Sequence, residues 1–220
     1  MPTELTDRDF AAVIFDMDGT LIDSTPAVLR AWTRWAVEQR VPAEALSGFH
    51  GTPSADVVAA VLPADRQAEA IDRINQLELT DTDGIVPLPG AAAAFDQLPT
   101  DRLAIATSCS APLAEARLAA SGLTAPNVLV TVDDVEHGKP APDPYLAAAR
   151  RLGLDAADCL VVEDAPNGIR SGRAAGAPVL AVITTSPRSE LDAADLVVPD
   201  LAAIDWLVDP DSNRIRISVR

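Results

Sequence analysis

Lysine is nearly absent from these 220 residues: Lys139 stands alone beside sixteen arginines. Cysteine is scarce too, with only Cys109 and Cys159, and aromatic residues make up 4% of the chain. Two cysteines cannot build the disulfide framework of a small secreted domain, so a reduced, cytoplasmic protein is expected. The polar, acidic stretch Met1–Asp9 agrees, being unlike a secretory signal. Long apolar runs are missing as well; Ala91–Phe95 and Val179–Ile183 are far too short to span a bilayer. Bases are outnumbered 17 to 33, which leaves a formal charge of −16. Neither nucleic acid nor an anionic membrane is an expected partner for such a chain. A phosphorylated small molecule would be repelled by the same field. A site for one must therefore bring its own cation.

What is present is apolar material, 48% of the residues, enough to bury the core of one domain or of a core with a modest insert. Short apolar runs recur, each ending in polar residues: Ala11–Asp16, Leu103–Thr107, Val128–Thr131, Leu160–Val162, Val179–Ile183 and Leu196–Val198. Helix-like segments alternate with them, among them the amphipathic Ala111–Ser121 and a helix begun by Pro166. The pattern predicts a doubly wound, parallel α/β sheet of Rossmann-like type. In such sheets ligands bind beyond the carboxyl ends of the strands, where every one of these polar clusters falls.

The alternation fails between the first strand and Leu103. Thr25–Gln39, Pro53–Val61 and Ala64–Leu79 carry helical apolar spacing instead, with Trp32 and Trp35 on one helix face as packing residues. Residues 24–86 are therefore expected to form a small helical cap inserted into a core made of residues 1–23 and 87–220. The tail offers a short helix over Leu201–Leu207 and an edge strand over Ile215–Val219.

Four motifs carry chemistry. Asp16-Met17-Asp18-Gly19-Thr20 sets two carboxylates at i and i+2 after a buried strand. Such acids are expensive unless they share a cation, and a glycine beside them frees the backbone to bring them together. Thr107, Ser108 and Ser110 follow the second strand and suit phosphoryl oxygens at a helix start. His137-Gly138-Lys139-Pro140 holds the single lysine, and Glu163-Asp164-Ala165-Pro166 again puts acids at a strand end. A compact ammonium is the natural counterion within a crowd of acids.

In this order the motifs resemble those of the haloacid dehalogenase-like superfamily. The similarity runs over nearly the whole chain: DMDGTLIDS at Asp16–Ser24, Thr107–Ser108, HGKPAPDPYL at His137–Leu146 and VVEDAPNGI at Val161–Ile169. The insert resembles the C1 helical cap, and the narrower likeness is to phosphatases of small sugar and polyol phosphates. That resemblance implies Asp16 as nucleophile, forming an aspartyl-phosphate, with Asp18 as general acid and base. It implies Mg²⁺ held by Asp16, the main-chain carbonyl of Asp18 and Asp164, with Glu163 supporting the metal indirectly. It further implies Lys139, a hydroxyl from Thr107 or Ser108, and backbone N–H groups around Met17 and Cys109 on the phosphoryl oxygens.

Other residues leave alternatives open. His50, in a Gly-flanked loop of the cap, suits recognition of substrate hydroxyls or a structural role; His137 suits loop stabilisation. Glu78, Asp81 and Asp83 suit either a hydroxylated leaving group or a solvated acidic face. Cys109 is expected to lend its backbone rather than its thiol, and Cys159 to be a small buried residue. A hexose-phosphate mutase of the β-phosphoglucomutase type shares the core motifs, but such mutases carry a His at the position of Val28 here. A receiver-like phospho-accepting module would lack both the acid at Asp18 and the insert. A small phosphorylated molecule is the expected partner, bound by a monomer or weak homodimer.

Overall fold

A computed structural model describes residues 4–46 and 52–220 of the chain. Its centre is a six-stranded sheet in which every neighbouring pair runs parallel. Its strands are β1 (Ala12–Phe15), β4 (Leu103–Ala106), β5 (Val128–Val130), β6 (Cys159–Glu163), β7 (Val179–Val182) and β8 (Leu196–Val198), in the order β5-β4-β1-β6-β7-β8. Strands β1, β4, β6 and β7 are buried at every residue, which is why they read as unbroken apolar runs rather than alternating ones.

The two-residue period still shows in where the side chains go. Val13 and Phe15 enter a cluster formed with α4 (Ala91–Gln97) and α5 (Ala111–Ser121), whereas Ala12 and Ile14 enter one formed with α6 (Asp143–Leu152) and α7 (Pro166–Ala174). Helices thus cover both faces, as the doubly wound reading requires. The sheet order reverses beside β1, so the central strand delivers its carboxyl end to the switch point of the fold.

The insert leaves and returns through a two-residue antiparallel ribbon, β2 (Ile22–Asp23) with β3 (Val86–Pro87). Between them lie α1 (Thr25–Gln39), α2 (Ser54–Val61) and α3 (Ala64–Thr80). They bury a separate small cluster around Trp35, Val58, Ala70, Ile74 and Leu77. Trp35 is fully buried, and its indole N–H donates to the Ala70 carbonyl at 2.8 Å. Trp32 packs edge-on against it, with ring centroids 5.2 Å apart.

The tail departs from expectation. Only Leu201–Ala203 turns, as a short 3-10 helix capped by Asp200 on the Ala202 N–H at 2.9 Å. The chain then runs straight into β9 (Ile204–Val208), because Ile204 and Trp206 alternate inward over Phe15 while Leu207 points out. The second strand, β10 (Ile215–Val219), pairs with β9 in an antiparallel hairpin and is not an edge of the main sheet. No helix among the described residues is long and apolar enough to cross a membrane.

Candidate active site

Asp16 follows β1 directly, and its N–H still donates to the Val162 carbonyl of β6 at 2.9 Å. The ladder between the two central strands therefore carries Asp16, Glu163 and Asp164 to one place. Carboxylate oxygens from these three buried acids lie within 4.8 Å of one another. Lys139 enters from the loop before α6. Its ammonium donates to Asp16 Oδ1 at 2.5 Å and to Glu163 Oε1 at 2.7 Å. The lone lysine is 6% exposed, so its rarity on the surface and its presence here are separate facts.

Glycine is required twice by this packing. Gly19 turns the chain with φ of +86°, and a Cβ there would lie 2.3 Å from Asp164 Oδ2. Beneath α7, a Cβ on Gly168 would stand 1.6 Å from Glu163 Oε1. Glu163 has no room to yield. Its Oε1 also accepts from Tyr145 Oη at 2.7 Å, and its Oε2 accepts the N–H groups of Asp164 and Ala165 at 2.9 and 3.2 Å. Asp164 in turn accepts hydrogen bonds from Thr185 Oγ1 and, at 3.3 Å, from Thr20 Oγ1.

The electrostatics of this group are one-sided. Burial raises the Asp16 carboxyl to a pKa of about 7; Lys139 opposes the shift and Glu163 adds to it. Asp164 is pushed well above the usual carboxylate range by burial, then by Glu163 and Asp16. Burial disfavours the Lys139 ammonium, yet Asp16 and Glu163 outweigh it and hold its pKa well above the ordinary value. With all three carboxylates ionised, one ammonium would leave two negative charges unbalanced, the charge of one divalent cation; the raised pKa values are the same excess met with protons instead. Hard oxygen donors in a tight group also match what a small divalent ion takes. Glu163 already accepts from four donors, the Lys139 ammonium among them, and Asp164 from two hydroxyls only; Asp16 and Asp164 are therefore the better placed to hold such an ion, with Glu163 aligning Lys139 and the following backbone.

Asp18 points elsewhere. Its Oδ1 accepts from Ser24 Oγ at 2.6 Å and from Arg117 Nη1 at 2.8 Å, and its Oδ2 accepts from the Cys109 thiol at 3.1 Å. Burial pushes the Cys109 thiol well above its ordinary pKa, so it is no thiolate. The Cys109 N–H donates to Thr107 Oγ1 at 3.1 Å, which occupies the buried Thr107 hydroxyl inside the loop. Ser108, half-buried, lines the cavity. Met17 is wholly buried as a side chain and only its backbone can serve the site.

These residues open onto a cavity of about 420 Å³ between the sheet edge and the insert. The insert contributes Val28, Leu29, Trp32, Ser54 and Glu78 to its wall. Glu78 is 6% exposed, and its Oε1 accepts from Arg117 Nη2 at 3.1 Å. Asp81 instead forms an exposed ion pair with Arg30 at 2.7 Å. The two acids, alike in sequence, thus face different ways. His137 stands 3.4 Å from Asp143 at the surface. His50 lies outside the described residues.

Arg117, Tyr145, Thr185 and Ser24 were not singled out as site residues by the sequence. Tyr145 and Ser24 lie within the quoted motifs and had a signal. Arg117 and Thr185 had none, because an arginine in an amphipathic helix and a threonine after an apolar strand are ordinary there.

A family model for haloacid dehalogenase-like hydrolases matches residues 10–176. Hexitol phosphatase A of Escherichia coli (strain K12) is 44% identical over 209 residues, covering 92% of this chain and 96% of that one. Fructose-1-phosphate phosphatase YqaB of the same organism is 32% identical over 177 residues, covering 76% of this chain and 93% of its own. Among solved structures, a hydrolase from Pseudomonas syringae superposes with a TM-score of 0.78 at 28% identity, covering 87% of this chain and 94% of that one. With the acids, the lysine and the hydroxyl loop arranged on this sheet edge, the chain belongs to the haloacid dehalogenase-like hydrolase family.

Proposed function

We propose that the protein is a Mg²⁺-dependent phosphatase that hydrolyses a small phosphorylated sugar or polyol through an aspartyl-phosphate on Asp16. The observation that carries this reading is the buried array of Asp16, Lys139, Glu163 and Asp164 with Asp18 beside it, all facing one cavity. The names of the relatives, a hexitol phosphatase and a fructose-1-phosphate phosphatase, support the substrate class.

An Asp16 carboxylate oxygen attacks phosphorus as the ester P–O bond breaks, and Asp18 gives its proton to the departing alkoxide. A water then attacks the same phosphorus. Asp18 takes its proton, the bond to Asp16 breaks, and the Asp16 carboxylate and inorganic phosphate are released. Lys139 stays against Asp16 throughout, so a positive charge is already in place as negative charge moves to the phosphoryl oxygens. Thr107 and Ser108, both on the cavity wall, offer the hydroxyl that serves them. Asp16, Asp164 and the main-chain carbonyl of Asp18 would hold Mg²⁺, which would supply the positive charge that the array lacks.

In this reading residues 24–86 act as a cap that shapes the leaving-group end of the cavity, and the enzyme works in the cytoplasm as a monomer or weak homodimer. Val28 lines that cavity with an apolar side chain, which favours a hydrolase over a mutase needing a His at this position. The test is phosphate release from hexitol, hexose and glycerol phosphates with and without Mg²⁺. Sustained turnover that needs Mg²⁺ is expected, and slow single-turnover loss of a protein-bound phosphoryl group would point to a receiver instead.

A further inference from the structure

Arg117 is 5% exposed on α5, and its guanidinium bridges two carboxylates that belong to different parts of the molecule. Nη1 reaches Asp18 Oδ1 at 2.8 Å on the core side, and Nη2 reaches Glu78 Oε1 at 3.1 Å on α3 of the insert. Glu78 is itself steadied by Ser54 Oγ of α2, which donates to Oε2 at 3.2 Å. The Arg117 Nε is buried with no hydrogen-bond partner among the described residues, so the side chain is held at the fork alone. A buried ion triad is a poor source of stability, because desolvation cancels most of the attraction. Two carboxylates on either side of the core–insert boundary are, however, held in one plane by a rigid guanidinium fork, whereas the rotatable donors of an ammonium impose no such plane.

We propose that Arg117 is a positioning residue that aims the Asp18 carboxylate and couples its orientation to the seating of the insert through Glu78. The inference rests on the proposed phosphatase reading, in which Asp18 protonates the leaving group. When α3 sits on the core, Glu78 completes the pairing of Arg117 and fixes where Nη1 stands. If α3 lifts, Arg117 keeps Asp18 and the Cys109 sulfur on Nη1 but loses its anchor on Nη2, and Asp18 keeps Ser24 and the Cys109 thiol beside a guanidinium no longer fixed at its far end. Substrate engagement by the insert and readiness of the acid then become one event rather than two. Ser24, where the insert begins, also donates to Asp18 Oδ1 at 2.6 Å, so Arg117 is a second tie and the one that reaches α3.

The test compares kcat and KM for a hexitol phosphate, whose alkoxide must be protonated, with p-nitrophenyl phosphate, whose leaving group departs as an anion. Wild type, R117K, R117M, E78Q and R117M/E78Q are measured, with thermal transitions recorded for each. R117M is expected to lower kcat on the hexitol phosphate about 10²-fold, the scale of a misplaced general acid, with KM within about threefold. On the aryl ester kcat/KM should fall less than about fivefold. R117K should recover part of the loss, and E78Q should move the alkyl-to-aryl ratio in wild type but not in R117M. Equal losses of kcat/KM on both esters, a loss confined to KM, or an E78Q effect that adds to R117M would each overturn the proposal, since kcat/KM ends at leaving-group departure and leaves out the water attack that both esters share. If R117M does not fold, an unmoved ratio in both R117K and E78Q overturns it equally. A wild type that hydrolyses neither ester overturns the phosphatase reading and this inference with it; an active wild type with an unmoved ratio overturns the Arg117 role alone.

Discussion

At the carboxyl edge of the sheet, four charged groups, Asp16, Lys139, Glu163 and Asp164, are buried, and the Lys139 ammonium donates to Asp16 and Glu163 at 2.5 and 2.7 Å. In the insert the arrangement is reversed. A small apolar cluster around Trp35 sits inside, and charge lies outside in exposed pairs such as Arg30–Asp81 and Glu38–Arg73. Exposed pairs contribute little, since water and salt screen them. The sheet edge is therefore rigid by necessity and costly by charge, while the insert is held mainly by packing. An enzyme that must keep one chemistry and accept one of many leaving groups gains from that division. Error at the edge is fatal to the reaction, whereas change in the insert alters what is accepted.

The largest expected break in this contrast is Asp16→Asn, which should lower turnover by on the order of 10⁵-fold by removing the nucleophile. The protein should stay folded, since a raised carboxyl pKa means the ionised group costs stability where it sits. Sustained Mg²⁺-dependent hydrolysis by this variant, followed as phosphate release, would refute the mechanism. Next is Trp35→Ala, which should cost roughly 3–5 kcal/mol of packing in the insert. Denaturation followed by hydrogen exchange should show α1–α3 opening while β1, β4 and β6 keep their protection; a uniform loss would mean that the two regions unfold as one.

Gly168→Ala should cost roughly 2–4 kcal/mol and lower kcat, because the new methyl displaces a Glu163 carboxylate fixed by four donors. Calorimetry with Gly138→Ala as the control separates this from a general glycine effect, since only Pro53 lies near a Cβ there, at 3.5 Å. Metal removal is smaller and depends on pH. The folded-state pKa of Asp16 is raised from 3.8 to about 7, so the metal-free fold binds its proton more tightly than the unfolded chain. Stability from this group is present below pH 3.8 and is lost as pH rises toward about 7. Saturating Mg²⁺ should oppose that decline and raise the melting temperature at pH 7 by roughly 5–10 °C at a hundredfold excess over its Kd. A melting temperature that ignores Mg²⁺ at pH 7 would remove the metal from the array.

Smallest of all is Glu38→Gln on the exposed side of α1. Arg73 and then Arg34 lower the Glu38 pKa from 4.5 to about 2, though burial opposes them. Its contribution is thus present above pH 4.5 and lost as pH falls toward about 2. Being open to solvent, the pair should change the melting temperature of the insert only slightly, and less so in high salt.

The sheet and the acids at its edge were legible in the chain because both are local signals. A strand buried on two faces is a run of apolar residues, and acids that directly follow such a strand are delivered to its carboxyl edge. The tail was misread over Leu201–Leu207, where three residues of turn preceded a strand whose inward alternation was too short to stand out. The insert was visible as helical spacing without strands, yet its inner surface was not. Glu78 and Asp81 stand three residues apart, and nothing in their neighbours says that one faces Arg117 and the other Arg30.

By itself the sequence determined where Asp16 stands, which acids and which lysine join it, and that a parallel sheet carries them. Each of those follows from residues adjacent in the chain to a strand end. Only the tertiary structure decided what Asp18 is tied to. Arg117 is 99 residues from Asp18 and 39 from Glu78, and the three meet solely because α5 and α3 pack at the same edge of the cavity. Long-range ion pairing leaves no local trace, since a buried arginine and a solvated one are the same letter until the fold removes the water.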